Sequence, residues 1–372
     1  MFEHAYSTIC DQVSDTSRVS EEQNDHAFRL LQEKFLYPEK IHKGSTIEDT
    51  VASAQDANTY LISPNNRTHS GRFESAHTYD CGVSIGIRGN GIVVTDISPT
   101  RKQQSNALER GNILHAINGN PLTGPIHTMG DLAAVELAMT GKADSLLRLA
   151  IQTVRSKGEM CFLRTEQYRA ANLGVHERPD VPVLRIRRFM SNLSHDIEDC
   201  LSPILHRRIR GLIIDLRGNY GGRLPACLDA AGLFLGKENI CFSWEREGKK
   251  SHWSTVDAQF PDVPISLIID RMTASAAEIF TAALQYHRGS AVIGKKSFGK
   301  GTMQRQYPIP GMDRELKITT GTWSTPGHAS VQGIGIQPDY PADTSLSRHS
   351  EEVDEATALA TRITLADAAC RT

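Results

Sequence analysis

The hydrophobic pattern changes three times along the chain. Residues 22–61 carry apolar side chains at helical spacing among polar ones, which predicts a helical N-terminal segment. Residues 82–165 contain short β-like runs, such as GIVVTDI and LLRLAIQTV, around one helical stretch, TMGDLAAVELAM. From residue 181 the nearly continuous apolar runs GLIIDL and ISLIID alternate with helical or glycine-rich sequence. Such runs are typical of a mostly parallel sheet with both faces covered by helices.

These changes predict four regions in a chain of 372 residues, which is longer than one hydrophobic core usually organises. We expect a helical N-terminal segment over 1–78, a β-rich domain over 79–168, an α/β domain with a mixed, mostly parallel sheet over 169–343, and a tail over 344–372. The loop-forming stretch SPNNRTHSGR lies near the first boundary. The tail is weakly helical, and no chemistry is assigned to it.

Composition and charge reduce the classes of partner that the protein is expected to bind. Lys and Arg together number 41 and Asp and Glu 43, so no global field favours nucleic acid. The N-terminus lacks the apolar core of a signal peptide, and no apolar run is long enough for a membrane span, which together predict a cytoplasmic protein. The seven cysteines are scattered and show no metal-binding spacing. We therefore expect reduced thiols, no metal and no cofactor.

The segment TASAAEIFTAALQYH follows the predicted strand ISLIID and begins a helix, which places Ser275 at a strand-to-helix turn. A helix N-terminus presents unpaired N–H groups that stabilise the oxyanion of acyl transfer, so Ser275 is a candidate nucleophile. The alternative is structural: Ser275 or Thr273 is a helix N-cap, with Glu278 completing a capping box. At this point of the argument both interpretations stay open.

A serine nucleophile needs a base, and two residues compete for that role. His287 lies 12 residues further along the same predicted helix, about 18 Å away at 1.5 Å per residue, which is too far. Lys300 lies among glycines in KKSFGKGTMQ, just after the run SAVIG. Burial there would lower the pKa of its amine and leave a neutral base.

The same loop has a rival interpretation, because Gly294 to Lys300 spells GxxxxGK, most of a phosphate-binding loop. Gly301 stands where that motif needs Ser or Thr, and Pro308 and Pro310 follow where it needs a helix. Nucleotide binding is therefore the weaker hypothesis. The glycine loop NYGG, residues 219–222, is either a ligand-approaching turn or an ordinary strand-to-helix turn.

The motifs IDLRGNYGG, TASAAEIFTAALQ, FGKGTMQ and TPGHASVQGIGIQPDY resemble, in order and spacing, the carboxyl-terminal processing (tail-specific) proteases. The resemblance covers roughly Tyr79 to Tyr340 and implies a serine endopeptidase with a Ser-Lys dyad. Its nucleophile would be Ser275 and its base Lys300, which follows 25 residues later as in the family. It also implies three further roles: Gln304 would orient the lysine, and the oxyanion would be held by the N–H of Ala276 and that of either Gly221 or Gly222.

The β-rich region is similar to the PDZ domain of these proteases, because YDCGVS stands at the place of its carboxylate-binding loop. Such a domain adds the C-terminus of a polypeptide as an extra strand. The residues expected to bind that C-terminus are Cys81, Gly82, Val83 and Ser84. Ser84 replaces a glycine usual in the family, and the alternative is an ordinary strand-opening turn.

The expected partner is thus a polypeptide with a free C-terminus, and a homo-oligomer is left open. A hypothesis from another class is a non-catalytic peptide-binding scaffold with the same fold. The family is usually exported, which conflicts with the cytoplasmic prediction. Tyr286 stands where some members carry Asp, and Thr273 and Ala277 replace serines that flank the nucleophile, but these departures spare the predicted dyad.

Overall fold

The structure is a computed structural model. It describes residues 20–56, 58–62, 79–88, 91–97, 108–109, 111–122, 135–136, 138–152, 157–163, 166–167, 171–174, 180–205, 209–260, 263–312, 314–344 and 354–371.

Helices occur in the N-terminal, central and C-terminal parts of the chain. They are α1 Glu21–Lys34, α2 Ile47–Ala52, α3 Leu193–Leu205, α4 Leu224–Leu235, α5 Ala276–Arg288 and α6 Glu355–Arg371, with a 3-10 turn at Pro38–Lys40. The strands, numbered along the chain, are β1 Tyr60–Ile62, β2 Tyr79–Asp80, β3 Val83–Arg88, β4 Gly91–Ile97, β5 Ile113–Ile117, β6 Asn120–Pro121, β7 Leu146–Gln152, β8 Lys157–Leu163, β9 Glu166–Gln167, β10 Ala171–Gly174, β11 Val183–Ile186, β12 Leu212–Asp215, β13 Asn239–Glu245, β14 Gly248–Trp253, β15 Ile265–Ile269, β16 Ala291–Gly294, β17 Thr302–Pro308, β18 Glu315–Ser324 and β19 Tyr340–Pro341.

The central sheet has the order β10-β11-β12-β15-β16-β19, and every neighbouring pair except β10 with β11 is parallel. Successive side chains of its strands enter two cores. Ile214 and Leu267 pack with helices α3, α4 and α5 on one face, whereas Ile213 and Ile268 pack against Ala360 of α6 on the other. Because both faces are covered, β12 and β15 read as continuous apolar runs. The predicted α/β class with a mixed, mostly parallel sheet is confirmed.

A second sheet, β1-β18-β13-β14 with β17 beside β18, supports the N-terminal helices. Leu31 and Phe35 of the N-terminal segment pack in one core with Ile309 and Ile318. The N-terminal segment is less helical than predicted: a strand, β1, ends it by pairing with β18. Residues far apart in sequence therefore build one core here.

A third sheet, β3-β4-β5-β7-β8 with β6 beside β5, has its own core around Leu147 and Leu149. Within the described residues, β3 lies at its edge and pairs only with β4. The predicted helix TMGDLAAVELAM falls largely outside the described residues, although 135–136 and 138–139 are helical. This sheet contacts the rest of the molecule through Tyr220 and Met272, which pack against its core.

The tail forms a well-packed helix. Ala356 and Ala360 of α6 are fully buried against the central sheet, whereas the sequence predicted only weak helicity. Nowhere in the described part of the chain is a helix both long and apolar enough to cross a bilayer. The exact limits of the four predicted regions stay predictions.

Candidate active site

Ser275 lies at the turn between strand β15 and helix α5, where it is the N-cap residue. Its backbone has φ 56° and ψ −120°, outside the regions that a residue with a side chain prefers. Such a conformation costs on the order of 1–3 kcal/mol and persists only where the surroundings enforce it. A strained strand-to-helix turn that exposes a serine hydroxyl is a known arrangement of nucleophiles.

The N–H groups beside Ser275 are suited to an oxyanion. Ala277 donates its N–H to the Ala274 carbonyl and Glu278 to the Ser275 carbonyl, whereas the N–H of Ala276 donates to no acceptor among the described residues. An early helical N–H without a partner is a donor for an anion. The predicted role of Ala276 as an oxyanion donor stays a prediction.

The glycine turn lies directly against this helix start. A Cβ atom on Gly221 would lie 2.9 Å from the nitrogen of Ala276 and 2.9 Å from the Cβ of Ser275. The N–H of Gly221 donates to the Asn219 side chain at 2.9 Å, so it is already engaged. Within the described residues no hydrogen bond is made by the N–H of Gly222, so of the two glycines Gly222 is the one with an N–H available to an oxyanion. The sequence left the choice between these glycines open.

Phe189, three residues after the end of strand β11, holds this turn through an isolated β-bridge to Gly222. Its N–H donates to the Gly221 carbonyl at 3.1 Å, and its own carbonyl accepts from the N–H of Arg223 at 2.8 Å. On the other side, the N–H of Gly218 donates to the Asp270 carboxylate at 3.1 Å. The turn is therefore fixed at both ends before any substrate arrives.

Lys300 is partly buried in the loop between β16 and β17. Burial lowers the pKa of its amine to about 8, and the positive charges of Lys317 and Arg188 act in the same direction. Asp56 and Glu278 oppose the shift because a nearby negative charge favours the ammonium form. A lysine with this pKa has a substantial neutral fraction near pH 8 and can act as a base.

Glu278, in the first turn of α5, connects the two predicted dyad residues. Its Oε2 accepts the N–H of Ser275 at 2.8 Å and the N–H of Lys300 at 2.9 Å. Its Oε1 accepts the N–H of Gly299 at 2.7 Å and the hydroxyl of Ser297 at 2.5 Å. Four donors point at this fully buried side chain, so it acts as a carboxylate, although burial raises its pKa. The cap and the nucleophile interpretations of Ser275 are thus compatible.

Gln304 lies in β17 and donates its Nε2 to the hydroxyls of Thr302 at 2.9 Å and Thr319 at 3.2 Å. In the described residues it makes no hydrogen bond to Lys300. Its predicted role in orienting the lysine stays a prediction.

The other base and the phosphate-loop interpretation lose support. His287 lies at the far end of α5, where its Nε2 is 2.7 Å from the Asn239 carbonyl oxygen. Strand β17 follows Gly301, whereas a phosphate-binding loop needs a helix there. The structure therefore gives neither His287 nor the GxxxxGK motif the surroundings that its alternative role requires.

A buried ion-pair network that the sequence did not predict lies behind the glycine turn. The Arg217 guanidinium pairs with Asp215 at 2.7 Å and with Asp354, just before α6, at 2.8 Å. Burial tends to raise the pKa of Asp215, but Arg217 overrides burial and holds that pKa below its usual range. Only a long-range contact brings Asp354 here, so no local pattern could reveal it.

The predicted peptide-binding residues open strand β3. Cys81 and Val83 are buried, and the N–H of Gly82 donates to the Asp80 carboxylate at 2.8 Å. Asp80 also lies 3.4 Å from the Arg187 guanidinium. An acidic side chain of the protein itself therefore accepts from this turn, and the predicted role of these residues in binding a C-terminus stays a prediction.

One further contact joins the β-rich region to the glycine turn. The Tyr220 hydroxyl donates to Glu136 Oε2 at 2.5 Å, and the Arg188 guanidinium lies 3.1 Å from the centre of the Tyr220 ring. Glu136 belongs to the helical residues of the third sheet's region. Sequence reasoning gave no role to any of these three side chains.

The chain is similar to several known peptidases. A model of peptidase family S41 matches residues 180–342. A carboxy-terminal-processing protease of Bartonella bacilliformis is 30% identical over 71% of this chain and 61% of its own length. A carboxyl-terminal-processing protease of Picosynechococcus is 26% identical over 86% of this chain and 78% of its own length. A carboxy-terminal processing protease of Bacillus subtilis is 28% identical over 69% of this chain and 54% of its own length.

The chain thus spans less than two thirds of two of these relatives. Among solved structures, a photosystem II D1 C-terminal processing protease superposes with a TM-score of 0.61 at 18% identity, covering 94% of this chain and 99% of that one. A Bacteroides fragilis protein assigned to the S41 proteases superposes with a TM-score of 0.58 at 13% identity, covering 93% of this chain and 97% of that one. At these identities the superpositions show the fold.

Proposed function

We propose that this chain is a serine endopeptidase with a Ser275–Lys300 dyad, on the basis of the match between its residues 180–342 and peptidase family S41. One observation carries the proposal: a serine in a strained helix-start turn and a lysine whose pKa is lowered to about 8 are both tied to the Glu278 carboxylate. A nucleophile and a base held to one rigid group are preorganised for reaction.

In the proposed mechanism the neutral amine of Lys300 takes the proton of the Ser275 hydroxyl as its oxygen attacks a peptide carbonyl. The N–H groups of Ala276 and Gly222 stabilise the oxyanion. The lysine ammonium then gives its proton to the leaving amine, and an acyl-enzyme remains. A water deprotonated by the same amine then attacks the acyl group. The bond between the acyl carbon and the Ser275 oxygen breaks, the lysine ammonium returns its proton to that oxygen, and the new carboxyl end is released.

We further propose that the third sheet is a PDZ-like domain that selects the substrate C-terminus. Strand β3 lies at the edge of its described sheet, where an added strand can pair. The preceding turn already accommodates one carboxylate, that of Asp80. The Tyr220–Glu136 hydrogen bond supports communication between this domain and the oxyanion turn. Binding energy gained there would position the bond to be cleaved.

The test compares wild type with Ser275→Ala and Lys300→Ala on an unstructured polypeptide, with fragments read by mass spectrometry and folding by circular dichroism. Lys296→Ala is the matched control, because Lys296 is an exposed lysine of the same loop. We expect cleavage by wild type and the control and none by the two dyad variants. Cleavage by either folded dyad variant contradicts the dyad, and a folded but inactive wild type favours a peptide-binding scaffold.

A second substrate tests C-terminal selection. The same polypeptide with an amidated C-terminus lacks the carboxylate, so we expect its KM to rise while kcat changes less. Equal KM for the two substrates contradicts the PDZ-like role but leaves the dyad intact. Oligomeric state and compartment stay predictions.

A further inference from the structure

Thr319 of strand β18 is held by three contacts from the N-terminal segment. Its carbonyl accepts the N–H of Leu36 at 3.0 Å, and its own N–H donates to the Thr59 hydroxyl at 3.1 Å. Its hydroxyl donates to Asp56 Oδ2 at 2.5 Å. Thr319 is only 2% exposed. The N-terminal segment therefore fixes both the backbone and the side chain of a residue 263 positions after Asp56.

The hydrogen bond from the Thr319 hydroxyl to Asp56 determines how the Gln304 amide is oriented. A threonine hydroxyl has one proton, and Thr319 gives it to the Asp56 carboxylate, so toward Gln304 it can only accept. The Gln304 amide therefore turns its Nε2 to Thr319, at 3.2 Å, and to the hydroxyl of Thr302, at 2.9 Å. The Oε1 atom of Gln304 is therefore left as an acceptor for another donor.

The backbone places Gln304 for such a role. Gln304 lies directly opposite Thr319 in the β17–β18 pair, next to a register shift between Met303 and Gln304. Irregularities of this kind redirect a side chain and are frequent beside active sites. Lys300 lies two residues before the start of β17. The oriented amide and the lysine thus belong to one short stretch of chain.

We propose that Asp56 is a positioning residue for the Ser275–Lys300 dyad. Through the Thr319 hydroxyl it orients the Gln304 amide, so that Oε1 accepts an N–H of the neutral Lys300 amine once substrate is bound. With that N–H engaged, the lone pair of the amine faces the Ser275 proton. The inference rests on the proposed function, and it makes the N-terminal segment a part of the catalytic apparatus.

The charges around Lys300 provide an independent signature. Burial is the largest influence that lowers the pKa of Lys300, Lys317 and Arg188 add to it, and Asp56 and Glu278 oppose it. Lys317 is itself held by the Tyr60 hydroxyl at 3.2 Å. Loss of the Asp56 charge therefore lowers the pKa of Lys300 further, whereas loss of the Thr319 hydroxyl leaves every charge in place.

Three variants separate orientation from charge. Thr319→Val removes the hydroxyl that links Asp56 to Gln304 and keeps the Asp56 charge. Asp56→Ala removes both the link and the charge. Thr319→Ser keeps the hydroxyl. We expect kcat to fall about 10- to 100-fold in Thr319→Val and Asp56→Ala with little change in KM, because a misplaced catalytic group costs rate rather than binding. Thr319→Ser should retain most of the activity. The acid limb of the kcat profile should move to lower pH only in Asp56→Ala.

Glu48→Ala is the matched control, since Glu48 is an exposed carboxylate of the same segment, paired with Arg314 at 2.9 Å. Folded Thr319→Val and Asp56→Ala proteins with the kcat of this control overturn the inference. If Asp56→Ala fails to fold, the Thr319→Val and Thr319→Ser pair decides, because equal rates in these two also overturn it. Cleavage by Ser275→Ala would contradict the proposed function itself. That outcome is distinguishable from the two results above, which overturn only the role of Asp56.

Discussion

The backbone N–H of Ser275 and the backbone N–H of Lys300 donate to the same oxygen, Oε2 of Glu278, at 2.8 and 2.9 Å. The residues are 25 positions apart, and one lies at a helix start whereas the other lies in a loop. A single buried carboxylate thus fixes the separation of the proposed nucleophile and base. This relationship makes the dyad geometry sensitive to a fully buried side chain.

Glu278→Gln should therefore lower kcat/KM by about 100-fold or more, because a displaced nucleophile or base loses rate steeply. The amide has one acceptor oxygen and presents N–H donors to the remaining backbone donors, which leaves buried groups unsatisfied. We also expect a lower melting temperature, measured by circular dichroism. Glu238→Gln, at a half-exposed carboxylate, is the control. Unchanged kcat/KM in Glu278→Gln would show that the dyad does not depend on this carboxylate.

The rate should rise with pH through an acid limb near pH 8, because the base acts only as the neutral amine and burial lowers the pKa of Lys300 to about 8. A pH profile of kcat/KM on a short peptide measures the limb. A limb near pH 6.5, the ordinary pKa of histidine, would point to a histidine base instead.

Lys300 should also make the free energy of unfolding depend on pH. Its pKa is lower in the folded protein than in the unfolded chain, so the unfolded chain binds more protons between about pH 8 and 10.5, and the free energy of unfolding rises with pH across that window. Lys300→Met lacks this group, so its stability advantage over wild type should be largest below pH 8 and disappear above pH 10.5. Urea unfolding at several pH values tests the trend. An advantage that does not vary with pH would contradict it.

Gly221→Ala should abolish activity even where the protein folds. Gly221 has φ +99°, and a Cβ atom there would lie 2.8 to 2.9 Å from atoms of Ala274, Ser275 and Ala276. These are the atoms that shape the proposed oxyanion site. Gly218→Ala, in the same turn at φ +72° with open space around it, should cost about 1 kcal/mol of stability and retain activity. Equal activity in Gly221→Ala and Gly218→Ala would show that Gly221 does not shape the active site.

Asp354→Ala should destabilise the protein by about 3 kcal/mol, because it leaves the buried Arg217 charge with only one of its two carboxylate partners. Denaturant unfolding measures this. Asp367→Asn, in the same helix but in an exposed pair with Arg371, should change stability by at most about 0.5 kcal/mol. A loss in Asp354→Ala as small as that of the control would mean that helix α6 is held by its apolar face alone.

The local pattern of apolar and polar residues was sufficient to predict much of the fold. The runs GLIIDL and ISLIID predicted buried parallel strands, and those strands are β12 and β15. The helix after Ser275 was predicted from its apolar face and begins at Ala276. The tail was underestimated, because the side chains that α6 buries are mainly small, such as Ala356 and Ala360, which give a weak pattern.

The sequence by itself determined the strands of the central sheet and the turn that carries Ser275, because strand and helix periodicity are local properties. Its motifs also indicated the peptidase family. Only the tertiary structure decided which groups surround the dyad: the Glu278 link to Lys300, the engaged N–H of Gly221, and the contact from Asp56 to Thr319. These depend on burial and on hydrogen bonds between distant segments, and neither quantity exists until the chain has folded.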